Sequence, residues 1–149
     1  MSLKARITED MKSAMKAGDK DRLKVVRLML AAVKQVEIDK RTALDDAAVL
    51  GVIGKMVKQR RDSVEQFEKG DREDLASIER AEIAILETYL PEQLSADELA
   101  TIVDAAIAAT GATGIRDMGK VMAEVKAKAA GRADMGAASA TVKERLNAL

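Results

Sequence analysis

Apolar residues recur every three or four positions along most of the 149-residue chain. This spacing predicts amphipathic helices. Four helices are predicted before Pro91, over residues 2–17, 20–39, 46–69 and 71–90. Proline lacks the backbone N–H and therefore ends the fourth. Three more are predicted after it, the first over residues 96–109, the second over residues 115–130, and the third with Asp134 as its cap and apolar positions at Ala138, Val142, Leu146 and Leu149. We therefore expect an all-α protein, with an N-terminal four-helix domain over residues 1–90 and a small three-helix domain over residues 95–149.

The same spacing predicts which side chains face the core. In the first helix the stripe consists of Leu3, Ile7, Met11 and Met15. The second helix is apolar around much of its girth, which is typical of a central helix in a bundle. Leu28 is expected to widen its buried face, and Ile78 is expected in the buried stripe of the fourth helix.

The amino-acid composition excludes several kinds of catalytic and metal-binding site. The chain has no Cys and no His, so it offers no disulfide, no thiolate nucleophile, no imidazole base and no histidine metal ligand. One Phe and one Tyr are too few to build a platform for stacking bases. No Gly-x-Ser-x-Gly elbow or phosphate-binding glycine loop occurs. We therefore predict no catalytic residue, no cofactor and no metal.

The chain shows no secretory signal at its first residues and no run of about 20 apolar residues that would span a bilayer. From these two absences we expect a cytoplasmic protein without membrane contact.

Charge is uneven although the formal net charge is zero. Residues 1–41 hold 11 basic and 6 acidic side chains, an excess of +5. The excess is −4 over residues 42–90, −4 over residues 91–111 and +3 over residues 112–149. Each half of the chain is therefore polar, with one basic and one acidic part.

Two groups of cations are candidates for function. Arg60 and Arg61 are predicted to lie level with Glu79 and Glu82 if the third and fourth helices form a hairpin about Gly70. This favours a structural ion network, and a partner-binding patch is the alternative. In the last two helices and their connection, the candidate RNA phosphate contacts are Lys120, Lys128, Arg132, Lys143 and Arg145. The alternative for these five is a set of solvated helix faces.

Five short motifs in a fixed order carry a family resemblance. They are Gly18-Asp19-Lys20, Arg60-Arg61-Asp62-Ser63, Tyr89-Leu90-Pro91-Glu92-Gln93-Leu94-Ser95, Asp117-Met118-Gly119-Lys120-Val121-Met122 and Gly131-Arg132-Ala133-Asp134. With these motifs the chain resembles the YqeY-like (GatB/YqeY) proteins over essentially its full length.

The resemblance implies a helical N-terminal domain and a C-terminal domain similar to the tail of the B subunit of aspartyl/glutamyl-tRNA amidotransferase. In that enzyme the tail helps to hold tRNA. The first functional hypothesis is therefore a non-catalytic RNA-binding or adaptor protein that contacts tRNA or a tRNA-charging complex. The family label implies a second, a carbon–nitrogen ligase that takes its amide nitrogen from glutamine. A third is a protein-interaction module that acts through the N-terminal helices.

Overall fold

The computed structural model describes residues 1–129 and 131–149, and these contain helices and no strand. The helices are α1 (Leu3–Ala17), α2 (Lys20–Lys40), α3 (Asp46–Lys69), α4 (Glu73–Glu87), α5 (Ala96–Thr110), α6 (Met118–Ala129) and α7 (Met135–Asn147). The all-α prediction is confirmed. The helices group into two compact units, residues 1–90 and residues 91–149, called here the N-terminal unit and the C-terminal unit.

Polar residues begin most of these helices. Asp19, Asp45 and Asp134 each accept a hydrogen bond from the backbone N–H three residues later, and so does Ser2. Ser95 forms a complete capping box with Glu98. These side chains satisfy N–H groups that have no partner within the helix. Two glycines in the left-handed conformation, Gly18 and Gly111, end α1 and α5.

Two helix starts differ from the prediction by two residues or more, and α4 ends at Glu87, three residues before its predicted end. α4 begins at Glu73 with Arg72 as its N-cap residue, because Asp71 adopts a left-handed conformation with φ of 57°. α6 begins at Met118, because residues Ile115–Asp117 form a tighter 3₁₀ turn before it. The predicted end of this helix at Ala130 lies outside the described residues.

Aliphatic side chains fill the core of each unit. The N-terminal core contains Ile7, Val25, Val26, Met29, Val33, Val49, Ile53, Met56, Val57, Leu86 and Tyr89. The C-terminal core contains Leu99, Val103, Ala106, Val121, Val125, Ala138, Val142 and Leu146.

Three side chains that were expected in the core are exposed. Met15 and Ile78 are each 52% exposed, and Leu28 is 40% exposed. On α1 the buried position beside Met15 belongs to Ala14. The apolar stripe marks the side of a helix that is buried, but the neighbouring helices decide how wide the covered sector is.

Among the described residues, no single helix is long and apolar enough to cross a membrane. One bent pair, α5 with residues 115–129, meets the requirement by length and composition only.

Candidate functional site

Three of the five predicted RNA contacts are exposed lysines of the C-terminal unit. Lys120 and Lys128 lie on α6 and Lys143 lies on α7. None of the three forms an ion pair within the described part of the chain. Glu124 lies between Lys120 and Lys128 along α6 and pairs with neither of them. These ammonium groups are therefore available to a ligand.

The other two predicted contacts are engaged within the C-terminal unit. Arg145 Nη1 lies 3.2 Å from Asp104 Oδ2, so it links α7 to α5. Arg132 is half-buried, and its Nε donates to the carbonyl oxygen of Glu92 at 3.1 Å. The backbone carbonyl of Arg132 also accepts a hydrogen bond of 2.7 Å from Leu94 N. Arg132 therefore joins the two loops that precede α5 and α7.

The five cations do not form a single flat surface. Successive residues of an α-helix are about 100° apart, so the directions of Lys143 and Arg145 differ by about 160° around α7. Lys120 and Lys128 are about 80° apart around α6 by the same geometry. Lys143 and Arg145 therefore lie on opposite sides of α7, whereas Lys120 and Lys128 lie on the same side of α6.

Three acidic residues of the C-terminal unit accept hydrogen bonds from backbone N–H groups. Asp117 Oδ2 accepts from Thr113 N at 2.9 Å, and this hydrogen bond lowers the pKa of Asp117. Glu98 Oε1 accepts from Ser95 N at 3.1 Å, which lowers the pKa of Glu98. Asp134 accepts from Ala137 N at the start of α7. Asp117 also interacts electrostatically with Lys120, which lowers the pKa of Asp117 further, so this carboxylate offsets part of the charge of Lys120 without forming an ion pair with it.

The ion network predicted for the N-terminal unit forms only in part. Arg60 Nε lies 2.9 Å from Glu82 Oε2, and both side chains are largely buried. Lys24 Nζ approaches the other oxygen of Glu82 at 3.3 Å. Arg61 instead pairs with Glu87 at 2.7 Å, because it points about 100° away from Arg60 around α3. Glu79 forms no ion pair among the described residues.

A second polar cluster surrounds Tyr89, and the sequence analysis missed it. The hydroxyl of Tyr89 donates to Asp10 Oδ2 at 2.6 Å, and Arg22 Nη2 lies 3.5 Å from the same hydroxyl. The guanidinium of Arg6 lies over the ring, 5.1 Å from its centre. Burial and then the hydrogen bond to Asp10 raise the pKa of Tyr89 to about 12. This cluster fixes the turn that follows α4 against α1 and α2.

The described residues contain no group of three His, Cys, Asp or Glu side chains that could hold a metal ion. Two shallow grooves are present. One follows the exposed face of α2 and the other lies between α5 and α6, beside Lys128.

These features define an all-helical protein of two compact units, with exposed lysines on the helices of its C-terminal unit. The family model of YqeY-like proteins matches residues 4–146. The chain belongs to the YqeY-like family.

Three curated relatives are fungal proteins that bear the name "Altered inheritance of mitochondria protein 41, mitochondrial". The one from Eremothecium gossypii is 34% identical over 148 residues, which are 97% of this chain and 80% of that protein. Those from Vanderwaltozyma polyspora and Kluyveromyces lactis are 39% and 41% identical over 85 and 86 residues. These two matches cover 56% and 57% of this chain and 46% of each relative, so they span less than half the length of those proteins.

The cytoplasmic location predicted from the sequence is contradicted by these relatives, whose names place them in mitochondria. The prediction rested on the lack of a secretory signal and of a long apolar segment. Neither feature distinguishes the cytoplasm from the interior of a mitochondrion.

Proposed function

We propose that the protein is a non-catalytic RNA-associated adaptor and that its C-terminal unit contacts RNA phosphates through Lys120, Lys128 and Lys143. One observation carries the proposal. These three lysines are exposed and unpaired in the described part of the chain, while Asp117 and Asp134 bond to backbone N–H groups. Phosphate contacts from lysine are electrostatic and do not depend on base sequence.

The non-catalytic part of the proposal rests on composition. A chain without Cys or His lacks the usual activated nucleophiles and the usual general base.

Transfer RNA is the first ligand to test, since the C-terminal unit carries the motifs that resemble the tail of a tRNA-dependent amidotransferase. In this proposal Arg132 and Arg145 stabilise the C-terminal unit and do not contact RNA directly. Arg132 holds two loops together, and Arg145 holds α7 on α5.

The test is the binding of fluorescently labelled tRNA, measured by anisotropy at several salt concentrations. Three phosphate contacts at about −0.9 per phosphate predict a slope near −2.7 for log affinity against log salt. Affinity should then fall about 40-fold between 50 and 200 mM salt. Changing all three lysines to glutamine should abolish most of this dependence.

Two matched variants sharpen the test. Glu124→Gln removes the negative charge between Lys120 and Lys128, so we expect tighter tRNA binding. Lys16, Lys55 and Lys58 are exposed and unpaired lysines among the described residues of the N-terminal unit, and changing them to glutamine is the control. The proposal fails if the wild type does not bind tRNA at 50 mM salt. It also fails if the two triple variants lose the same affinity.

A further inference from the structure

An exposed apolar line follows one side of α2, on the face opposite to its core residues. Leu28 is 40% exposed and Ile38 is 60% exposed, and Ala31 and Gln35 are exposed between them. The line begins at Lys24 and steps by four, three, four and three residues. This alternation keeps its members on one side of a helix and is the spacing of a helix–helix seam.

The opposite face of α2 is already covered. Val25, Val26, Met29 and Val33 are buried in the core of the N-terminal unit. The other helices of that unit therefore pack on the core face and leave the line from Leu28 to Ile38 in solvent. Ten residues of helix are about 15 Å long, which corresponds to nearly three turns of a second helix lying alongside.

Cations flank this apolar line on one side. Arg27 and Lys34 are exposed, lie seven residues apart, and form no ion pair within the described residues. A spacing of seven residues places both on the same flank, two helical turns apart. The other flank carries Asp39, whose carboxylate accepts a hydrogen bond from Gln35 at 2.9 Å. The face therefore carries the apolar side chains of Leu28, Ala31 and Ile38 with the polar Gln35 among them, and it is positive along one edge.

This combination selects one class of ligand. RNA phosphates would use Arg27 and Lys34 but would leave Leu28 and Ile38 in water, and this line of α2 has no aromatic ring on which a base could stack. A helix with an apolar stripe and acidic residues beside it satisfies both parts of the surface. We propose that the exposed face of α2 binds an amphipathic helix of a partner protein, with the acidic side of that helix against Arg27 and Lys34.

The test uses the full chain and a designed helical peptide as the probe. The peptide carries leucines at alternating three- and four-residue spacing and glutamates beside them at seven-residue spacing. Binding is measured by anisotropy of a fluorophore on the peptide. A second peptide has lysine in place of each glutamate, and a third has the residues of the first in scrambled order.

Charge reversal distinguishes the proposed binding from non-specific binding of an apolar peptide. Arg27→Glu with Lys34→Glu should weaken binding of the glutamate peptide at least about tenfold and should restore affinity for the lysine peptide. Leu28→Ser with Ile38→Ser should weaken binding of both peptides. Met15→Ser with Ile78→Ser changes exposed apolar residues on other helices and should have no effect.

Each alternative result overturns the proposal. The proposal requires that the wild type bind the glutamate peptide more tightly than it binds the scrambled peptide. It also requires that the charge-reversal variant bind the lysine peptide more tightly than the wild type does. If instead tRNA affinity falls when Arg27 and Lys34 are reversed and no peptide binds, the face is a nucleic-acid surface. The lysine variants of the C-terminal unit do not enter this experiment, so its failure leaves the proposed RNA contact standing.

Discussion

The hydroxyl of Tyr89 donates a 2.6 Å hydrogen bond to Asp10, a residue 79 positions earlier in the chain. Tyr89 is 4% exposed and lies in the turn after α4, whereas Asp10 lies on α1. The bond therefore joins the first helix of the N-terminal unit to the last turn of that unit. Because Tyr89 is the single tyrosine of the chain, its state can be read directly.

Tyr89 is expected to ionise late in an alkaline titration. Its pKa is raised to about 12 by burial and by the bond to Asp10, so the tyrosinate absorbance should appear near that pH in the folded protein. In denaturant the same absorbance should appear near pH 10, the ordinary value. A folded-state midpoint at the ordinary value would show that the hydroxyl is not held by Asp10.

The same residue should make stability fall at high pH. A group whose pKa is higher in the folded than in the unfolded protein stabilises the fold fully at any pH below its unfolded pKa. This stabilisation is lost as the pH rises through the folded pKa. For Tyr89 this window lies between pH 10 and about 12. Tyr89→Phe should cost about 1 kcal/mol of unfolding free energy at neutral pH, since a hydrogen bond is removed, and should remove this alkaline loss. Denaturant unfolding of the wild type and the variant at neutral pH measures the lost hydrogen bond, and the same measurement within the alkaline window measures the pH-dependent loss.

Arg60 and Glu82 should contribute more to stability than Arg61 and Glu87. The side chains of the first pair are 14% and 12% exposed, and those of the second pair are 53% and 42% exposed. Removing Arg60 leaves a largely buried carboxylate with only Lys24 nearby, so Arg60→Ala should cost about 2 kcal/mol. Arg61→Ala should cost less than about 1 kcal/mol. Double-mutant cycles for the two pairs measure the difference, and equal coupling energies would contradict this assignment.

Two glycine substitutions should change stability in opposite directions. Gly18 has φ of +69°, and a Cβ there would meet no atom within 4 Å, so Gly18→Ala tests backbone strain alone. Alanine held in the left-handed conformation at this position should lower the free energy of unfolding by about 1 kcal/mol. Gly51 lies inside α3 with the same free space, so Gly51→Ala should instead gain about 0.5–1 kcal/mol. Thermal unfolding of the two variants provides the comparison.

Glu37 should make stability fall in acid. Lys4 Nζ bonds both of its oxygens, and Leu44 N donates a further bond of 2.9 Å. The bond from Lys4 first, and then that from Leu44, lower the pKa of Glu37. A carboxylate whose pKa is lower in the folded than in the unfolded protein stabilises the fold at any pH above its unfolded pKa. This stabilisation is lost as the pH falls through the folded pKa. The acid loss should therefore be shallower in Glu37→Gln than in the wild type.

A control distinguishes this effect from general acid unfolding. Glu65 is an exposed carboxylate that lies 3.1 Å from Lys69 of the same helix. Glu65→Gln should leave the pH profile close to that of the wild type. If both variants flatten the profile equally, the network of Glu37 is not its cause.

The helix boundaries follow from local chemistry, and for that reason most of them could be predicted. Asp45, Ser95 and Asp134 cap α3, α5 and α7, and each capping bond spans only three residues, so it depends on the local sequence alone. The start of α4 was wrong because the left-handed conformation of Asp71 displaces the helix by two residues, and aspartate gives no sign of it in the sequence.

The sites were harder to predict because they depend on contacts between distant residues. Leu28 has the apolar character of a core residue, and only the arrangement of neighbouring helices leaves it exposed. Arg132 bonds a backbone carbonyl, and carbonyls are identical at every position of a sequence. The Tyr89–Asp10 bond could not be predicted, because Tyr89 belongs to a family motif but nothing in the sequence pairs it with Asp10 on a distant helix.

The placement of aromatic residues makes the two units optically different. Phe67 and Tyr89 both lie in the N-terminal unit, so the C-terminal unit contributes no aromatic signal. Near-ultraviolet spectra therefore follow the N-terminal unit, while far-ultraviolet circular dichroism follows the helices of both. Where the two melting curves separate, the difference is the unfolding of residues 91–149, observed without any label or truncation.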